Sequence, residues 1–107
     1  MRTDLRRELT RAIKGKDRIA VSALRSALAA IENSEAVPDD SPASGSVGVG
    51  STEVERRQLT DEDVHAIVTA EVRQRITAAE EYDRLARADV AERLRAEADV
   101  LRRHLER

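Results

Sequence analysis

The chain has 107 residues, of which 37% are charged and one, Tyr82, is aromatic; it has no cysteine and a net charge of -2. That length fits one domain with a modest core, burying about two thirds of its unfolded surface, and the lack of cysteine excludes disulfides and thiolate ligands. A core limited to Leu, Ile, Val and Ala suits helix packing better than a sheet sandwich, so the expected class is all-α.

A first helix is predicted over about Thr3 to Lys14, with Thr3 as N-cap, an apolar line through Leu5, Leu9 and Ile13, and Gly15 as its stop. Asp17 can cap a second helix. In it Val21, Leu24, Leu28 and Ile31 follow steps of three and four, while Ala20, Ala23, Ala27 and Ala30 allow close approach. Residues from about 34 to 58 hold both prolines and three of the four glycines, a composition that burial cannot order. They are expected to form a disordered loop. Its Val47-Gly48-Val49-Gly50 run lacks the Gly-Lys-Ser/Thr ending that a phosphate-cradling loop requires.

From Leu59 to Leu105 the chain contains no proline or glycine. A third helix starts at Thr60, with Asp63 placed to reach back in a capping-box arrangement, and acids suit the positive end of its dipole. Its stripe is Val64, Ile67, Val68, Val72, Ile76, Ala79 and Tyr82. The phase slips around Arg87-Ala88-Asp89, where Asp89 offers a further cap and Val90, Leu94, Ala98, Leu101 and Leu105 begin a new stripe. The expected fold is a four-helix arrangement of two helical hairpins, short then long, in a single domain spanning 1 to 107.

Charge is uneven along the chain. Residues 1 to 31 carry eight Lys/Arg against three Asp/Glu, residues 32 to 63 carry two against nine, and the remainder balances at nine each. The basic first third suits an anionic partner, although solvated helix faces have the same composition. Residues for catalysis are not in evidence. His65 lies beside Asp61, Glu62 and Asp63, but consecutive acids point around a helix rather than converging on a metal. His104 sits where a cation favours the dipole at a helix C-terminus. No serine or threonine lies in a nucleophile elbow. Glu71 and Arg75, four apart, read as an intrahelical pair worth a few tenths of a kcal/mol. Tyr82 reads as a core residue with its hydroxyl at the edge, and one tyrosine cannot supply the several stacking platforms of single-strand readers. No catalytic, cofactor or metal site is expected. No apolar stretch approaches the roughly 20 residues that span a bilayer, and the polar start suggests no signal segment, so a cytoplasmic protein without a membrane partner is expected.

Leu9-x-x-Ala12-Ile13-Lys14-Gly15-Lys16-Asp17, Leu24-Arg25, Ala29-Ala30-Ile31 and Asn33 resemble the opening of the YqeY-like, or GatB/YqeY, family. The second half is more similar: Leu59-Thr60-Asp61-Glu62-Asp63-Val64, Glu71, Arg75, Glu80-Glu81-Tyr82, Arg87, Asp89-Val90, Ala96-Glu97 and Leu101 to Leu105 follow the family pattern without a gap. The resemblance implies glycine as the common residue at the position of Ala86, which fits a turn. It also implies kinship with the tail of the B subunit of the tRNA-dependent amidotransferase, which helps hold tRNA while catalysis lies in other domains. A family label of carbon-nitrogen ligase activity with glutamine as amide donor would then record that kinship. In the family a Leu-Pro step and a small helical subdomain follow the second long helix, whereas this sequence ends at Arg107, reading as a short form.

Two functions follow. One is a non-catalytic accessory protein for tRNA or other RNA, with Arg6, Arg7, Arg11, Lys14, Lys16, Arg25, Arg75 and Arg87 as phosphate contacts and Arg18 in the same cluster. The alternative is a helical interaction module, homodimeric or docking to a protein partner.

Overall fold

The computed structural model describes residues 1–36 and 58–106, and among them the only regular elements are four α-helices. In chain order these are α1 (Arg2–Lys14), α2 (Arg18–Glu35), α3 (Asp61–Arg84) and α4 (Ala88–Leu105). Residues 37–57 of the expected loop lie outside the described ones; at its edges Ser34 and Glu35 complete α2 and Ala36 is its C-cap.

Helix starts follow side-chain chemistry in two of four cases. Asp17 Oδ1 accepts the Ala20 N–H at 3.1 Å and opens α2. At α3 the box closes in both directions: Asp63 N–H donates to Thr60 Oγ1 at 3.1 Å and Thr60 N–H donates to Asp63 Oδ2 at 2.9 Å. The other two expectations are corrected. Helix α1 already begins at Arg2, so Thr3 lies inside its first turn and Met1 occupies the N-cap without a side-chain bond. Arg87, not Asp89, is the N-cap of α4, which places Asp89 in the first turn, facing the dipole.

The two hairpin turns are built alike. After α1 the Lys16 N–H donates to Ile13 O and the Asp17 N–H to Ala12 O; after α3 the Ala86 N–H donates to Asp83 O and the Arg87 N–H to Tyr82 O. This is the paired 5→2 and 6→1 bonding of a Schellman turn, which requires a left-handed residue at its fifth position. Lys16, at φ 56°, and Ala86, at φ 59°, occupy it. Gly15, at φ -82°, sits one residue too early to use its freedom.

The most extensive packing is between α3 and α4, and α2 contacts both while α1 rests mainly on α2. Leu5, Leu24, Ile31, Val68 and Leu101 are the largest fully buried side chains, with Ala20, Ala23 and Ala27 letting α2 approach its neighbours. The two-hairpin, all-α expectation therefore holds. Along α1 the apolar line turns away from prediction: Ala12 is buried and Ile13 is 49% exposed. His104 does sit in the last turn of α4, as expected, but faces inward. It is buried at 4% exposure, with Nε2 2.7 Å from Glu8 Oε1, tying the end of α4 to α1; its Nδ1 has no hydrogen-bond partner among the described residues.

Polar residues also enter the core. Arg75 Nε donates to Glu97 Oε1 at 3.0 Å, and its Nη1 donates to both Glu71 Oε1 and the Glu71 carbonyl at 3.1 Å. Ser26 Oγ donates to the same Glu71 oxygen at 2.7 Å. One guanidinium thus holds two buried carboxylates and, through the serine, joins α2, α3 and α4. The intrahelical surface pair expected from the spacing of Glu71 and Arg75 is instead the centre of a buried network.

Candidate nucleic-acid interface

Side chains on a helix meet when they are three or four residues apart, and this periodicity sorts the predicted phosphate contacts. Arg7, Arg11 and Lys14 fall on one outward stripe of α1, with Arg6 about 100° from Arg7 around the axis. Arg18, Ser22 and Arg25 form the outward stripe of α2, away from buried Ala20, Ala23, Leu24 and Ala27. All six of these cations on the two helices are exposed, as is Lys16 in the turn.

A shallow groove of ≈ 620 Å³ between the end of α1 and the start of α2 brings Lys16, Arg18 and Arg25 together over Ile13, Val21 and Ser22. No carboxylate lines it. Arg6, Arg11, Lys14, Lys16, Arg18 and Arg25 form no ion pair among the described residues, whereas Arg7 lies 3.8 Å from Asp4. Three positive charges over an apolar floor, without an internal counter-charge, make an anion-attracting surface.

Two predicted contacts stand apart. Arg75 is 9% exposed and its guanidinium is engaged by Glu71 and Glu97, so a phosphate could reach it only by displacing buried carboxylates. This corrects its assignment to an RNA-contacting face. Arg87 is exposed in the α3–α4 turn, 3.4 Å from Asp89. The hydrogen bond from Arg87, followed by the Val90 N–H, holds the Asp89 carboxyl below its ordinary pKa, so the charge of Arg87 is already partly balanced.

A second groove, of ≈ 630 Å³, shares Arg18 and Ser22 with the first and continues between α2, α3 and α4 along Ile19, Tyr82, Val90, Arg93, Leu94 and Glu97. Residues from the start of α2, the end of α3 and the start of α4 meet here, so both hairpin turns lie at one end of the molecule. Arg93 escaped the sequence reading because its neighbourhood is electrically balanced; its position one residue before Leu94, beside the buried stripe, was the available signal. His65 remains on the exposed start of α3, where its carbonyl accepts the Thr69 hydroxyl at 2.8 Å. Among the described residues no three His, Cys, Asp or Glu side chains converge as metal ligands, and no helix is long and apolar enough to cross a membrane.

The fold and surface define a charge-rich protein of two helical hairpins with a basic groove at one end. A family model described as Yqey-like protein matches residues 47–107, more than half of the chain. The chain belongs to the YqeY-like family. No curated protein and no solved structure shows significant similarity to it.

Proposed function

We propose that this protein is a non-catalytic, RNA-associated accessory protein that holds a phosphate backbone on the short hairpin. The observation that carries the reading is the convergence of Lys16, Arg18 and Arg25 on a groove lined by no acid, extended along α1 by Arg7, Arg11 and Lys14. Kinship with the tRNA-holding tail of the amidotransferase B subunit, implied by the family resemblance, makes tRNA the first RNA to test. Phosphate contact releases condensed counterions, so affinity falls steeply with salt. In a gel shift at low salt the full chain retains tRNA. Lys14→Glu with Lys16→Glu weakens retention and lowers the slope of log affinity against log salt by about 1.4–1.8, from two lost contacts. Unchanged retention by the double variant, or no retention by the wild type, overturns the reading.

A second reading, a helical interaction module or homodimer, is favoured by Ile13 at 49% and Leu85 at 59% exposure, both beside the hairpin turns. Large apolar side chains at one end of a molecule suit a protein contact. Light scattering separates the readings: a concentration-dependent dimer lost on Ile13→Ser with Leu85→Ser supports the second, and a monomer at high concentration with no captured partner counts against it.

A further inference from the structure

We infer that the groove around Tyr82 takes one unpaired base of an RNA strand whose phosphates follow Lys16, Arg18 and Arg25. The inference rests on the RNA reading above and adds the form of RNA that is bound. Tyr82 is the only aromatic residue of the chain. Rather than lying in the core, it is half-buried near the end of α3, beside Ile19, Val90 and Leu94 and near Arg18 and Arg93. Its hydroxyl makes no hydrogen bond among the described residues and is not enclosed.

A tyrosine that lines one groove with apolar side chains and two arginines can support a nucleobase by stacking and the adjoining charge by Coulomb attraction. Every base has a π-face, so the platform is tolerant of sequence. Charge sets the orientation, and Glu97 adds little to it. Glu97 lines the Tyr82 groove with its carboxylate already engaged by Arg75, so that groove carries Arg18 and Arg93 beside a neutralised acid, whereas the neighbouring groove has three cations unpaired among the described residues and no acid and is the stronger seat for the phosphates. Because Arg18 and Ser22 line both grooves, a strand can lay its phosphates in one and turn a base into the other. A single ring supports a single base, so the site does not read a run. Duplex bases, stacked inside their helix, cannot enter it.

With one tyrosine and no tryptophan, the ultraviolet emission of the protein reports on this site alone. The full chain is titrated with a single-stranded oligoribonucleotide and with a blunt duplex of the same sequence. Binding is followed by anisotropy of labelled RNA and quenching by unlabelled RNA, with N-acetyltyrosinamide correcting for RNA absorbance. The single strand is expected to bind more tightly and to quench the emission in step with binding. Tyr82→Leu, which keeps an apolar side chain, is expected to weaken single-strand binding by about 5- to 150-fold, the range of one lost base-aromatic stack, and to leave duplex binding unchanged. Tyr82→Phe retains the preference. Circular dichroism checks that both variants are folded, and if Tyr82→Leu is not, wild-type quenching decides. Single-strand binding without quenching, or equal binding by folded Tyr82→Leu, overturns the base platform and leaves the phosphate reading standing. Absence of binding by both RNAs overturns both.

Discussion

Replacing Arg75 with methionine separates two accounts of the same ion pair by an order of magnitude. On an exposed helix face, an i,i+4 Glu–Arg pair contributes only about 0.2–0.5 kcal/mol, and its loss is hard to measure. Here Arg75 and Glu71 are each 9% exposed and Glu97 is 8% exposed. Methionine fills much of the arginine stem but leaves two buried carboxylates without a counter-charge, and the Ser26 hydroxyl satisfies only one oxygen of one of them. Removing one partner from a buried ion pair costs about 3–5 kcal/mol. Set against total stabilities of about 5–15 kcal/mol for small domains, that is a large share. Urea unfolding followed by far-ultraviolet circular dichroism measures the loss. Arg84→Met is the matched control: it removes the exposed partner of Glu81, a solvent-screened pair, and is expected to leave the urea transition nearly unchanged. A triple variant, Glu71→Leu with Arg75→Met and Glu97→Leu, removes every charge and is expected to recover most of the loss, because apolar side chains of similar volume replace buried ion pairs at little cost. An Arg75→Met variant that loses less than about 1 kcal/mol, like the Arg84 control, refutes the buried-network account.

Three further variants test local structure. Thr60→Ala removes one half of the α3 capping box and is expected to cost about 1 kcal/mol in the same urea assay; a neutral result means that the box does not support the helix. Ala86→Gly is expected to raise the unfolding free energy by up to about 1 kcal/mol, since glycine relieves the left-handed strain at φ 59° while giving back part of the gain through the freer unfolded chain. A fall in stability would mean that Ala86 does not adopt that conformation. Asp89 supplies a pH dependence: with its pKa lowered in the folded state by Arg87, its stabilising contribution is present above the ordinary carboxylate range and fades as pH falls through the lowered value. The stability curves of wild type and Asp89→Asn should therefore differ at neutral pH and converge in acid, and parallel curves would rule the contact out.

The architecture was legible because helical period and turn chemistry act locally. Two capped starts, the slip near Arg87 and the alternating Leu/Ala face of α2 all follow from residues a few positions apart, and the structure realises each of them. What escaped was decided by position in the stripe rather than by residue type. Arg75 lies seven residues after Val68, seven before Tyr82 and four before Ala79, at the middle of the buried face of α3. Glu97 lies seven after Val90 and four before Leu101, and His104 seven after Glu97, so each occupies an inward position of α4. A reading that selects only apolar residues skips these three. The same periodicity placed Tyr82 in the core as the last member of the apolar stripe, although it stands near the end of α3, where the stripe opens into a groove. The basic surface has a different limit: the convergence of Lys16, Arg18 and Arg25 depends on how α1 meets α2, and neither helix alone contains that information. Arginine content is therefore a poor guide to an anion-binding face here. The arginine most deeply placed among helices is spent on holding them together, and only those on outward stripes retain a charge that an RNA could meet.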